Sequence, residues 1–180
     1  MPTPDSEAPE EIVWQGKFIT AKRRGRWEFV GRARGIRAAV ILPVDGDDVV
    51  LVEQYRVPLG CNCIELPAGL IGDDDGAENE DPLEAARREL EEETGYRADR
   101  WETVGEFFSS PGMVSESFTL LKASGLARVG EGGGTGDEEI AVHRVPISGL
   151  EAFLDEARSR GCAVDVRILL LLGGSILADG

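Results

Sequence analysis

Residues 80–96 read EDPLEAARRELEEETGY, and the spacing within them decides how the rest of the chain is read. Asp81 suits a helix N-cap. Pro82 falls at the first helical position, where its missing N–H costs nothing, and Glu84 completes an Asp-x-x-Glu capping box. Leu83, Ala86, Leu90 and Thr94 recur at steps of three and four, giving a stripe that can pack on a sheet. Gly95 supplies the left-handed conformation that ends a helix. The stretch predicts a helix over 81–94.

Its carboxylates are not explained by folding. Glu89, Glu92 and Glu93 stand at i, i+3 and i+4, where like charges repel by roughly 0.2–0.5 kcal/mol per pair. Glu91, Glu92 and Glu93 also crowd the C-terminal end, where the helix dipole disfavours each exposed anion by ~0.3–1 kcal/mol. A divalent cation reverses both penalties, and Mg²⁺ takes carboxylate oxygens together with substrate phosphates. The competing explanation is a solvated acidic face in a very acidic protein. Arg88 favours the metal, because it lies within reach of Glu92 and Glu80 and a guanidinium fork fixes carboxylate orientation.

These residues resemble the Nudix hydrolases, whose signature is G-x5-E-x7-R-E-U-x-E-E-x-G-U, with U apolar. Glu80, Arg88, Glu89, Leu90, Glu92, Glu93, Gly95 and, loosely, Tyr96 match it. The first glycine is displaced. The signature places it at Asp74, whereas the glycine of ELPAG is Gly69, so the loop before the helix carries a five-residue insertion. Loops accept such insertions cheaply, because closure entropy grows slowly with length.

The resemblance implies an α/β/α sandwich, the Nudix fold, with a mixed sheet and an amino-terminal β extension. It implies Glu89, Glu92, Glu93 and the Ala68 carbonyl as ligands of two or three Mg²⁺ ions, or Mn²⁺, with Glu80 and Arg88 as a supporting pair. LVEQYR at 51–56, the following ELPAG, and Pro111 in SSPGMVSE place the likeness nearest the nucleoside-diphosphate-sugar pyrophosphatases, particularly those acting on ADP-ribose. The implied reaction is hydrolysis of ADP-ribose to AMP and ribose 5-phosphate. Another ADP- or GDP-sugar, NADH or a dinucleoside polyphosphate is the alternative substrate. A nucleotide sensor or interaction domain without turnover is the alternative of a different class.

In such enzymes a late mobile loop carries an acid that orients or deprotonates water, alongside the metal-binding Glu92 and Glu93. Here Glu138 is preferred for that role and Glu139 comes second, both beside the glycine-rich stretch 130–136. That stretch is not a P-loop, since no Gly-Lys-Ser/Thr follows it; it reads either as a mobile element or as a tolerated surface insertion. Arg56 is a candidate phosphate clamp, with a surface ion pair as its plainer role. Glu65 and Glu116 are candidates to orient water or substrate hydroxyls. Phe18 or Trp27 could stack a base, although strand aromatics more often serve a core or an interface.

The chain of 180 residues suits one domain: an acidic lead over 1–11, a β extension over 12–34 that could join a homodimer, and the Nudix domain over 35–180. Strands are predicted at 12–21, 26–34, 35–43, 48–55, 63–66, 101–109, 117–123 and 139–145, and further helices at 148–160 and 164–175. A formal charge of −15 argues against a nucleic-acid partner, but metal ions can still bridge carboxylates to a nucleotide. No apolar run reaches transmembrane length and the start is polar and acidic, so neither a membrane partner nor a signal peptide is expected. Three cysteines and a single histidine, His143, fit reduced thiols in a cytoplasmic protein and exclude a histidine-based metal cluster within one chain.

Overall fold

The computed structural model describes residues 3–33, 36–71, 80–136 and 138–177. Its strands are β1 (Glu10–Gln15), β2 (Ile19–Arg24), β3 (Trp27–Arg32), β4 (Arg37–Asp45), β5 (Asp48–Arg56), β6 (Cys61–Glu65), β7 (Ala68–Ile71), β8 (Tyr96–Phe108), β9 (Ser117–Arg128), β10 (Ile140–Pro146) and β11 (Ala163–Val164). Its helices are α1 (Pro82–Thr94), α2 (Leu150–Ser159) and α3 (Leu169–Leu177). Most of the Gly69–Glu80 insertion, Arg34, Gly35 and Asp137 lie outside the described residues.

The period-two alternation of β4 and β5 sets the layers. Ala39, Ile41 and Val50 face one core, which α1 closes with Ala85, Ala86 and Leu90. Val40, Val49 and Leu51 face the other, which α2 closes with Leu150, Leu154 and Ala157. A sheet made apolar on both faces must be covered on both, which is the α/β/α sandwich. The strand order is β11-β6-β5-β4-β9-β8, with β10 paired to β5 and β7 to β4. β4–β9 and β11–β6 are parallel and the other pairs antiparallel, so the sheet is mixed. The first strands form a separate antiparallel sheet, β1-β2-β3.

Several elements differ from expectation: β8 starts five residues before the expected 101 and β9 runs five past the expected 123, both lengthened by their shared antiparallel ladder. The stretch 12–34 holds parts of three strands, because the chain turns at Gly16, whose N–H donates to the Ile19 carbonyl at 2.9 Å. ELPAG does not end in a loop: its last two residues open β7, paired with Arg37–Val40. The expected helix at 164–175 starts late. Val164 joins the sheet edge beside Ile64, Asp165 caps a 3-10 turn over Val166–Ile168, and α3 follows. Among the described residues no helix is long and apolar enough to cross a membrane.

Glu53 of β5 is buried on the α2 side, where Asn62 donates to it at 2.8 Å and His143 and Arg160 stand at 3.1 and 3.3 Å. Burial opposes its charge, yet the bonds from Asn62, Arg160 and Cys162 prevail and hold its carboxyl at about 2. A carboxyl held below its unfolded value stabilises the fold above that value and loses the contribution as pH falls. Glu53→Gln should cost about 1–3 kcal/mol at pH 7. In denaturant titrations the gap from wild type should close as pH drops from 4.5 towards 2. A gap constant over that range would refute the account.

Candidate active site

Helix α1 has the N-cap and C-cap residues that its sequence predicts. Asp81 accepts from the Leu83 N–H at 2.8 Å, and Gly95, at φ 72°, donates to the Glu91 carbonyl at 2.8 Å. The expected capping box does not form: Asp81 holds the Leu83 N–H, and Glu84 turns to Arg87 at 2.9 Å. The buried face is Ala85, Ala86, Leu90, Glu93 and Thr94, with Leu83 only partly covered. That rotation from the expected stripe carries a glutamate inside.

Glu93 is 6% exposed and accepts from the Ala68 N–H at 3.0 Å. Burial pushes its carboxyl up to about 8, and the nearby charges of Glu89 and Glu138 push the same way, against the Ala68 N–H and Arg56. Glu89 lies directly over Gly69: a Cβ there would stand 2.0 Å from the Glu89 Cδ. Arg88 braces the cluster, at 2.8 Å from Glu89, 3.4 Å from Glu92 and 3.7 Å from Glu80.

Glu89 and Glu93 border a cavity of about 620 Å³. Glu138, Ala68 and Gly69 also line it, as do Arg56, Glu65 and Glu116. Glu92 is not among the lining residues; its carboxylate faces Arg88. Glu139 is exposed and does not line the cavity either. Trp27 and Pro111 border a second hollow, of about 460 Å³, together with Phe29 and Phe108. Phe18 is half exposed beneath the Lys17 ammonium, 4.9 Å away, and lines neither.

The glycine-rich stretch is built onto the end of α1. Gly133 and Gly134 donate to the carbonyls of Glu93 and Glu92 at 2.9 and 3.0 Å, satisfying groups a helix end leaves unpaired. Gly132, at φ 73°, sits so close that a Cβ would fall 2.4 Å from the Thr94 carbonyl carbon. Glu138 follows, its carboxylate held by the Thr135 N–H at 2.9 Å. The stretch thus caps the helix and carries Glu138 to the cavity, a packing role that its glycine content alone does not reveal.

Sequence reasoning missed Arg167, Asp165 and Gln54, which also line the cavity. Asp165 fell inside the helix expected over 164–175, and nothing local marks Arg167 as facing residues of α1 more than 70 positions upstream.

The donor set suits a hard divalent cation: carboxylate and carbonyl oxygens gathered beside a glycine that leaves room for them. Among the described residues no group of three or more His, Cys, Asp or Glu side chains is arranged to hold a metal ion. Two carboxylates completed by substrate oxygens are nonetheless a set Mg²⁺ uses.

Residues 34–161 match the family described as NUDIX domain. The chain belongs to the Nudix family. A GDP-mannose pyrophosphatase from Cronobacter sakazakii is 40% identical over 148 residues, 77% of this chain and 72% of that protein. A methanol dehydrogenase activator from Bacillus methanolicus is 38% identical over 119 residues, 66% of this chain; the match spans only 58% of the activator. A crystal structure of an ADP compounds hydrolase superposes with a TM-score of 0.68 at 23% identity, over 93% of both chains, which shows the Nudix fold.

Proposed function

We propose that this Nudix protein hydrolyses the pyrophosphate bond of ADP-ribose, with water entering and AMP and ribose 5-phosphate leaving. The observation that carries the reading is the buried Glu93, gathered with Glu89 and Glu138 at a cavity that Arg56 also lines. Glu89, Glu93 and the Ala68 carbonyl, with Glu92 after a turn of its side chain away from Arg88, would hold two or three Mg²⁺ or Mn²⁺ ions. A metal bound there would lower the pKa of the attacking water and neutralise charge developing on the phosphates. Glu138 takes or orients the water proton, a role for which its place on the cavity wall suits it better than Glu139, which does not line the cavity. Arg56 holds a phosphate oxygen, and Glu65 fixes that guanidinium through bonds of 2.6 and 2.9 Å. Glu116, paired with Arg32 at 2.5 Å, is placed to meet a substrate hydroxyl. Trp27 beside Pro111, or Phe18, offers a face to the base.

Residues 1–11, 12–34 and 35–180 are proposed as lead, β extension and hydrolase domain. The extension exposes Ile12, Val13, Trp14, Phe18 and Trp27, which supports a homodimer formed through it. The free cysteines suit a reduced, cytoplasmic setting.

The relationship to a GDP-mannose pyrophosphatase favours a second reading, in which the substrate is a GDP-sugar. Steady-state assays with ADP-ribose, ADP-glucose, GDP-mannose, NADH and a dinucleoside polyphosphate under Mg²⁺ separate the two. The expected result is the highest kcat/KM on ADP-ribose with AMP as product. Preference for GDP-mannose would transfer the assignment. Tight binding without turnover under Mg²⁺ or Mn²⁺ would replace the enzyme by a sensor.

A further inference from the structure

Arg32, Arg56 and Arg167 all line the cavity, and the hydrolytic reading leaves Arg167 unused. Arg167 occupies the 3-10 turn before α3, its side chain 19% exposed, and lines the same cavity as Arg56. Asp165 grips its Nε and Nη2 at 2.6 and 2.9 Å while accepting from its backbone N–H at 2.8 Å. Glu65, itself buried, accepts from Nε and Nη2 of Arg56 and from Nη2 of Arg167 at 3.4 Å. The guanidinium of Arg167 also lies 5.8 Å from the Phe118 ring centroid.

One carboxylate therefore ties two arginines together, and both are held by the same Nε–Nη2 edge. Their Nη1 amines make none of these bonds. An arginine fixed on one edge keeps its remaining donors aimed without further loss of rotamer entropy, which is what recognition of a phosphate requires. The same cavity carries Glu89, Glu93 and Glu138, which repel anions unless cations intervene. A ligand that satisfies both groups has one anionic unit for cations at the carboxylates and another for the arginines.

We propose that Arg167 is a substrate-binding residue, whose Nη1 edge joins that of Arg56 to grip the phosphoryl group remote from the carboxylates. This rests on the hydrolytic reading for the substrate class, but its test does not depend on turnover.

The probe is methylenediphosphonate with Mg²⁺, titrated calorimetrically; its P–C–P link cannot be hydrolysed. Arg167→Met should weaken binding at least tenfold. Arg167→Lys keeps the charge but loses the fork; it should weaken binding at least threefold, and it decides the matter if the Met variant does not fold. Mn²⁺ affinity, read by electron paramagnetic resonance, should stay within twofold of wild type in both. Diphosphonate affinity within twofold of wild type in a folded variant overturns the assignment. So does a parallel loss of Mn²⁺ affinity, which marks a mere structural prop, and so does failure of the wild type to bind the probe. A wild type that binds the diphosphonate yet hydrolyses no nucleotide sugar sinks the hydrolase reading and leaves the role of Arg167 to the titration.

Discussion

Replacing Glu93 with glutamine is expected to lower kcat by ~10²–10³ while raising the melting temperature of the metal-free protein. The two effects share one cause. Glu93 is buried, faces the charges of Glu89 and Glu138, and is pushed up to about 8. A charge in that position is costly to the empty fold, by about 1 kcal/mol or more of avoidable repulsion and desolvation. Glutamine is nearly isosteric and its carbonyl oxygen can still accept the Ala68 N–H, so the packing of α1 against β7 is kept. What is lost is the negative oxygen a cation needs. Mg²⁺ should accordingly raise the Tm of wild type and leave that of the variant nearly unchanged. Kinetics with Mg²⁺ and thermal melts in chelator, run in parallel, check both arms. Undiminished activity would remove Glu93 from the metal site, and a lower metal-free Tm would show that its charge supports the fold.

What the sequence could announce depended on the range of the interactions involved. Both ends of α1 are set by chemistry within a few residues, Asp81 with Leu83 and Gly95 with Glu91, so the helix was legible. The sheet covered on both faces was expected from the family resemblance; its physical basis, Val40 packing in one core and Ala39 and Ile41 in the other, shows only in the structure. The links from Arg167 to Glu65 and from Arg160 to Glu53 were not legible, because each joins residues about 100 apart that meet only once β5, β6 and β11 assemble. The glycine-rich stretch was misjudged for the same reason. Glycines read as freedom in sequence, whereas here they permit close approach to Thr94 and Gly95. The burial of Glu93 was hidden too: its i+3/i+4 relation to Glu89 is visible, but which edge of the stripe turns inward depends on the sheet.

Gly69→Ala is expected to lower kcat/KM by roughly 10–10² while leaving the fold intact. A methyl group there would stand 2.0 Å from both Cδ and Cγ of Glu89, so the glutamate must swing away. The end of a side chain yields more easily than packed backbone, and Gly69 does not occupy the left-handed region, so stability should change little. The damage would fall on the position of a carboxylate. The same contact accounts for the shifted match in the chain. The family pattern leaves five residues between its glycine and Glu80, which places that glycine at Asp74, yet the glycine that gives Glu89 its place is Gly69. A requirement set by contact with the helix follows β7, not the length of the loop between them. Gly149→Ala, where an added Cβ meets nothing within 4 Å, should keep activity within twofold and serves as the control. Equal activity in the two alanine variants would mean that Glu89 works from some other position, and Gly69 would lose its claim to be the displaced glycine of the motif.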